Sequence, residues 1–142
     1  MSIKQISVFL ENKPGTLNKM TKVLADAGID IRALSLAETK DFGIARLIVD
    51  DIISASQTLK DADFVANMNS VLAYAIPDEP GGLNTLLEKF SDANVNIEYM
   101  YSCVVATDKA HAYMIFRVTD TRAAEAALSS KGLIAIQQER LT

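Results

Sequence analysis

Along residues 3–10, IKQISVFL, the apolar positions Ile6, Val8 and Leu10 alternate, the two-residue period of a strand with one buried face. The period then changes. After ENKPG, where Pro14 removes a ladder donor, Leu17, Met20, Leu24 and Ala27 recur at helical spacing. That stripe stops at Gly28, suited to the left-handed turn that ends a helix. Two β-like runs come next, IDIRALSLAE at 29–38 and FGIARLIVD at 42–50, joined by the turn-prone TKD. Asp50 or Asp51 suits a helix N-cap, after which Ile52, Ala55, Leu59 and Ala62 return to helical spacing. Residues 64–68 then read as a short strand.

The same order is written again. Within Ile6 to Leu36 and Val71 to Tyr101, Pro14 falls on Pro80, Gly15 on Gly81, Leu17 on Leu83, Asn18 on Asn84, Ala27 on Ala93 and Ile31 on Ile97, each at a spacing of 66. The second helix stripe is Leu83, Leu86, Leu87, Phe90 and Ala93, and Asn94 stands where the first copy has Gly28. VNIEYMYSCVV at 95–105, the turn ATDKA, HAYMIFRVT at 111–119, a helix from about 121 to 131 stopped by Gly132, and a last strand LIAIQQ complete the copy. Each copy is β-α-β-β-α-β. Two interleaved right-handed crossovers give an antiparallel sheet with both helices on one face, an α+β, ferredoxin-like arrangement. The expected units are residues 1–69 and 70–142. No Pro, Gly or Ser-rich linker parts them, so they are expected to be fixed to each other, and exposed sheet surface favours dimerisation.

Composition narrows the function. Units of this size bury marginal cores alone and gain from mutual support. The net charge of −4 argues against nucleic acid, which requires clustered Lys and Arg. The lone Cys103 forms no intrachain disulfide, the N-terminus has no signal-peptide pattern, and no apolar run is long enough to cross a bilayer as a helix, so the cytoplasm is the expected compartment.

The two Pro-Gly loops with the helices and turns after them, NKPGTLNKMTKVLADAGIDI at 12–31 and DEPGGLNTLLEKFSDANVNI at 78–97, resemble ACT domains, regulatory modules that bind amino acids or other small metabolites. The resemblance covers nearly the whole chain, twice, and is similar to stand-alone ACT pairs. It implies ligands held where the loop after the first strand and the start of the first helix meet the second strand of a neighbouring unit. The residues give this a physical basis, since a helix N-terminus presents unpaired amides and partial positive charge that suit a carboxylate.

The expected ligand-binding residues are Asn12, Lys13, Pro14, Gly15, Thr16 and Leu17 in the first copy and Asp78, Glu79, Pro80, Gly81, Gly82 and Leu83 in the second. Leu34 and Ser35, and Tyr99, Met100 and Tyr101, would supply the opposite wall. Asp78 offers a carboxylate to a ligand ammonium where Asn12 offers an amide, so the two sites are expected to differ. A plain strand-to-helix turn with solvated side chains, and tyrosines that only pack, explain the same residues.

Catalysis finds little support. His111 stands without metal-ligand spacing, Cys103 reads as an inert buried thiol, and Asp78 and Glu79, as neighbours, point apart. DFGIARLIV lacks the stacking aromatics of RNA-recognition domains, and the loops lack the arginine that phosphoryl chemistry of an acylphosphatase type requires. The reading is a non-enzymatic, cofactor-free and metal-free regulator that binds a small amino acid, forms a homodimer and acts on a protein partner. The alternative is a protein–protein regulator resembling the paired-ACT repressor of glycine cleavage, with no metabolite. Which amino acid is bound is not legible in the residues.

Overall fold

The computed structural model describes residues 2–38 and 40–142, so Thr39 of the expected TKD turn lies outside the described residues. The elements run β1 (Ile3–Glu11), α1 (Thr16–Asp26), β2 (Ile31–Glu38), β3 (Phe42–Val49), α2 (Ile52–Asp61), β4 (Val65–Pro77), α3 (Gly82–Asp92), β5 (Ile97–Cys103), β6 (His111–Val118), α4 (Thr121–Ser129) and α5 (Gln138–Leu141). They divide into two compact units, Lys4–Asn69 and Ser70–Leu141, the latter joined by Ser2 and Ile3. Both are ferredoxin-like.

In the first unit the strand order is β2-β3-β1-β4, with β1–β3 and β2–β3 antiparallel. Ile6 lies opposite Leu47 and Val8 opposite Ala45, and these residues, with Leu10 and Val49, form the apolar face that the sequence pattern required. Met20 and Leu24 of α1 and Ala55 and Leu59 of α2 close over it, all fully buried. On the other face, Ser7 Oγ donates to Asn69 Oδ1 at 2.6 Å, so a buried hydroxyl is satisfied across the sheet.

The second unit is built in the same way from the later part of β4, β6 and β5. Where the first core uses Val8, Leu24 and Leu47, this one uses Tyr74, Phe90 and Phe116. The Phe90 and Phe116 ring centroids are 4.5 Å apart, and Tyr74 meets Phe90 edge-on at 5.8 Å.

Two expectations from sequence are corrected. Residues 64–68 and 71–76 are not separate strands; β4 runs unbroken over 13 residues, because Asn67, Asn69 and Ser70 weaken an extended chain without forbidding it. Of residues 133–138, the expected last strand, 133–137 form no regular strand, bonding to the sheet through Ile136 N–H to the Ala73 carbonyl at 2.8 Å, and Gln138 already belongs to α5. The next residues, QERL, are helix formers, and α5 buries Leu141 completely, which draws the chain out of the sheet. No helix among the described residues is long and apolar enough to cross a membrane.

Candidate functional site

Helices α1 and α3 begin differently from α2 and α4. Asp51 caps α2 by accepting from Ser54 N–H at 3.1 Å, and Asp120 caps α4 by accepting from Ala123 N–H at 3.1 Å. The Ser54 amide and hydroxyl hold the Asp51 carboxyl below the usual carboxylate range. At the start of α1 and α3 stand Gly15 and Gly81, with φ of 89° and 86° and no side-chain cap. The first helical bonds there are Lys19 N–H to Gly15 and Thr85 N–H to Gly81; Thr16 N–H and Gly82 N–H donate to the Lys13 and Glu79 carbonyls, and the amides of residues 17, 18, 83 and 84 have no partner within the helix.

A cavity adjoins each uncapped start. In the first unit it has a volume of about 260 Å³ and brings together Asn12, Lys13, Gly15, Thr16 and Leu17 with Leu10, Glu11, Leu36, Glu38 and Gly43. Asn12 Nδ2 donates to Glu38 Oε2 at 2.9 Å, and Lys13 pairs with Glu11 at 3.0 Å. In the second unit the cavity is about 330 Å³ and brings together Glu79, Pro80, Gly81 and Gly82 with Ala75, Ile76, Pro77, Thr85, Leu86, Lys89 and Leu133. Its polar groups are a carboxylate, a hydroxyl and an ammonium, so the two cavities differ in charge as well as shape.

Other expected residues lie outside these cavities. Pro14 and Leu83 do not line them, and Asp78 lines a different cavity at the β5–β6 end. Register explains the rest. Leu34 lies opposite Leu47 on the helix-facing side, with Leu36 and Glu38 following on that side and reaching the cavity. Ser35 lies opposite Arg46 on the other side. Met100, opposite Phe116, packs on the second core, whereas Tyr99 and Tyr101, opposite Arg117 and Ile115, occupy the face away from the helices. Thr85 and Lys89 escaped the sequence reading although a local signal existed, because they continue the helical face that starts at Gly82.

Sequence reading also missed a polar cluster around Asp108. Its carboxylate accepts from Tyr113 OH at 2.7 Å and from Ala110 N–H at 3.1 Å, and His111 Nδ1 lies 3.0 Å away. Arg140 reaches Asp108 at 3.4 Å and Tyr113 OH at 3.0 Å. The Tyr113 and His111 contacts hold the Asp108 carboxyl down at about 2. The Asp-x-x-His-x-Tyr spacing was a local signal for this cluster; Arg140, far along the chain, offered none. No group of three His, Cys, Asp or Glu among the described residues is placed to hold a metal ion.

Several solved structures share this architecture. Protein BT0572 from Bacteroides thetaiotaomicron superposes with a TM-score of 0.90 at 38% identity, over 99% of this chain and 96% of that one. The regulatory subunits of aspartate kinase from Thermus thermophilus, in a ligand-free form, and from Thermus flavus share the fold. Their TM-scores are 0.68 and 0.62 at 20% and 19% identity, over 91% and 89% of this chain and 90% and 88% of theirs. No curated protein matches the chain. A family model described as an ACT domain pair matches residues 1–142.

Proposed function

The chain belongs to the ACT domain pair family, and from that premise we propose that it is a non-catalytic regulator binding a small amino acid at the loops that open α1 and α3. The boundary between its two ACT units falls between Asn69 and Ser70. What carries the reading is the contrast in caps: the two helices beside the cavities lack a side-chain cap, while α2 and α4 are closed by aspartates. An amino-acid carboxylate supplies the missing anion at the exposed amides. Acceptors for its ammonium stand nearby, Glu38 in one cavity and Glu79 in the other. The two sites differ in preference, because the first cavity carries two acids, Glu11 and Glu38, with Lys13, while the second carries one acid, Glu79, with Lys89.

Binding would act by stabilising one arrangement of a cytoplasmic homodimer that a protein partner reads, with no cofactor involved. The exposed rings of Phe9 and Phe42 add apolar surface that favours self-association.

Thermal unfolding of the purified chain against all twenty amino acids tests the reading. A ligand at a hundredfold its Kd adds about 2.7 kcal/mol of stability, a rise of roughly 5–10 °C for a chain of this size. The rise is expected with one or two amino acids, and Glu38→Gln or Lys89→Met should each reduce it. A flat panel, from protein shown by mass spectrometry to carry no metabolite, would replace this reading with that of a protein–protein regulator.

A further inference from the structure

We propose that the second loop cavity is a socket for the Phe42 ring of a second copy of this chain. The repeat shows why the socket exists. Leu133 stands where the first unit has Phe64: each follows a residue of positive φ, Gly132 or Asp63, and each donates its amide back to the preceding helix, to Leu128 at 3.0 Å or Leu59 at 2.9 Å. Thr85 likewise matches Lys19, each the first residue of its helix to donate a helical bond, to Gly81 or Gly15. In the first unit Lys19 Nζ lies 5.8 Å from the centroid of the Phe64 ring, and that ring packs on the core. In the second unit both positions carry smaller side chains, and Gly82 replaces Thr16. Leu133, Thr85 and Gly82 all line the cavity of about 330 Å³. The place that one copy fills with its own aromatic ring is therefore open in the other, and a cavity of roughly 150 Å³ already admits a benzene ring.

The walls suit such a ring. Ile76, Leu86 and Leu133 supply apolar surface, and Lys89, one turn beyond Thr85, brings the ammonium that Lys19 brings in the first unit. The chain also carries a ring placed to enter. Phe42, 56% exposed, is the most exposed aromatic side chain among the described residues. It opens β3 directly after the bend at Lys40 and Asp41, so it stands at the end of the sheet, whereas Phe9 lies within β1. The charges beside ring and socket are complementary. Lys40 and Asp41 flank the ring, Glu79 and Lys89 border the cavity, and none of the four makes a side-chain hydrogen bond or ion pair among the described residues. Each sign on one surface thus finds its opposite on the other. In a dimer related by a two-fold axis each copy gives one ring and receives one, so the contact is made twice.

The socket rests on the homodimer proposed above but on no bound amino acid, and it is tested without one. Sedimentation equilibrium of the full chain measures the dimer Kd. Phe42→Ala removes the ring at an exposed position, and Leu133→Phe installs the residue that the first unit carries and fills the socket from within. Each should raise Kd by about tenfold or more. Either variant alone loses both contacts, but an equimolar mixture restores one, because the Leu133→Phe copy still offers its ring to the open cavity of the Phe42→Ala copy. The mixture should therefore associate more tightly than either variant by itself. A wild-type chain that stays monomeric would overturn both the dimer and the socket. A dimer whose variants match wild type, or a mixture no tighter than its parts, would overturn the socket alone.

Discussion

Gly82 and Thr16 occupy equivalent places in the two copies, yet their side-chain requirements are opposite. Thr16 Oγ1 lies 2.7 Å from both the Glu11 and Lys13 carbonyls, and its single O–H, donated to either, ties α1 to the end of β1. At Gly82 a Cβ would collide with the Pro77 carbonyl, a backbone atom with little room to yield. Gly82→Ala should cost about 1–3 kcal/mol in denaturant unfolding, and an unchanged midpoint would show that the loop relaxes freely. Tyr74 makes the reverse case. Its ring is 2% exposed, and its hydroxyl has no hydrogen-bond partner among the described residues. Burial, and secondarily the charge of Glu125, push its pKa up. Tyr74→Phe should therefore stabilise by about 1 kcal/mol, removing a desolvated group that gains nothing in return. Because the folded chain keeps this proton when the unfolded chain has lost it, wild-type stability should also fall above about pH 10, and the variant should be spared that part of the loss.

Among the elements, α1 to α4 end in one recurrent way. The amides of Ile29, Phe64, Val95 and Leu133 donate to the carbonyls of Leu24, Leu59, Phe90 and Leu128 at 2.9–3.0 Å, and the residue before each has positive φ. That residue is Gly28, Asp63, Asn94 or Gly132. Three of these were readable as helix stops; Asp63, at φ 66°, was not, because aspartate adopts this conformation less readily than glycine or asparagine. Asp63→Gly should raise stability by roughly 0.5–1 kcal/mol, measured as a Tm shift of a few degrees. A lower Tm would mean that the extra freedom of glycine in the unfolded chain outweighs the strain relieved.

For the whole molecule, the Asp108 cluster sets an acid limit. Its carboxyl titrates at about 2 in the folded chain and near the ordinary carboxylate value when unfolded. The stabilisation is therefore complete above about pH 4 and is lost as pH falls toward 2. Asp108→Asn should flatten that part of the stability profile, and Arg140→Gln should loosen α5 without altering the first unit. Hydrogen exchange resolved by residue separates the two outcomes; equal loss of protection in both units after Arg140→Gln would show that α5 is not a local clasp.

Much of this protein was legible as a string of residues. Alternation at Ile6, Val8 and Leu10, helical stripes such as Leu86 and Phe90, and turn residues at Pro14–Gly15 and Pro80–Gly81 act over a few neighbours, so their meaning survives without a fold. The repeat supplied the topology, because one unit's order constrains its twin. What tertiary structure alone decided is which side chains converge. A one-residue step in strand register moves a side chain to the other face, and this turned Ser35, Tyr99 and Tyr101 away from the cavities while admitting Leu36 and Glu38. The end of the last expected strand, the departure of Asp78 to another cavity and the meeting of Arg140 with Asp108 depend on groups distant in sequence. Such contacts are set by packing, which local propensity does not encode.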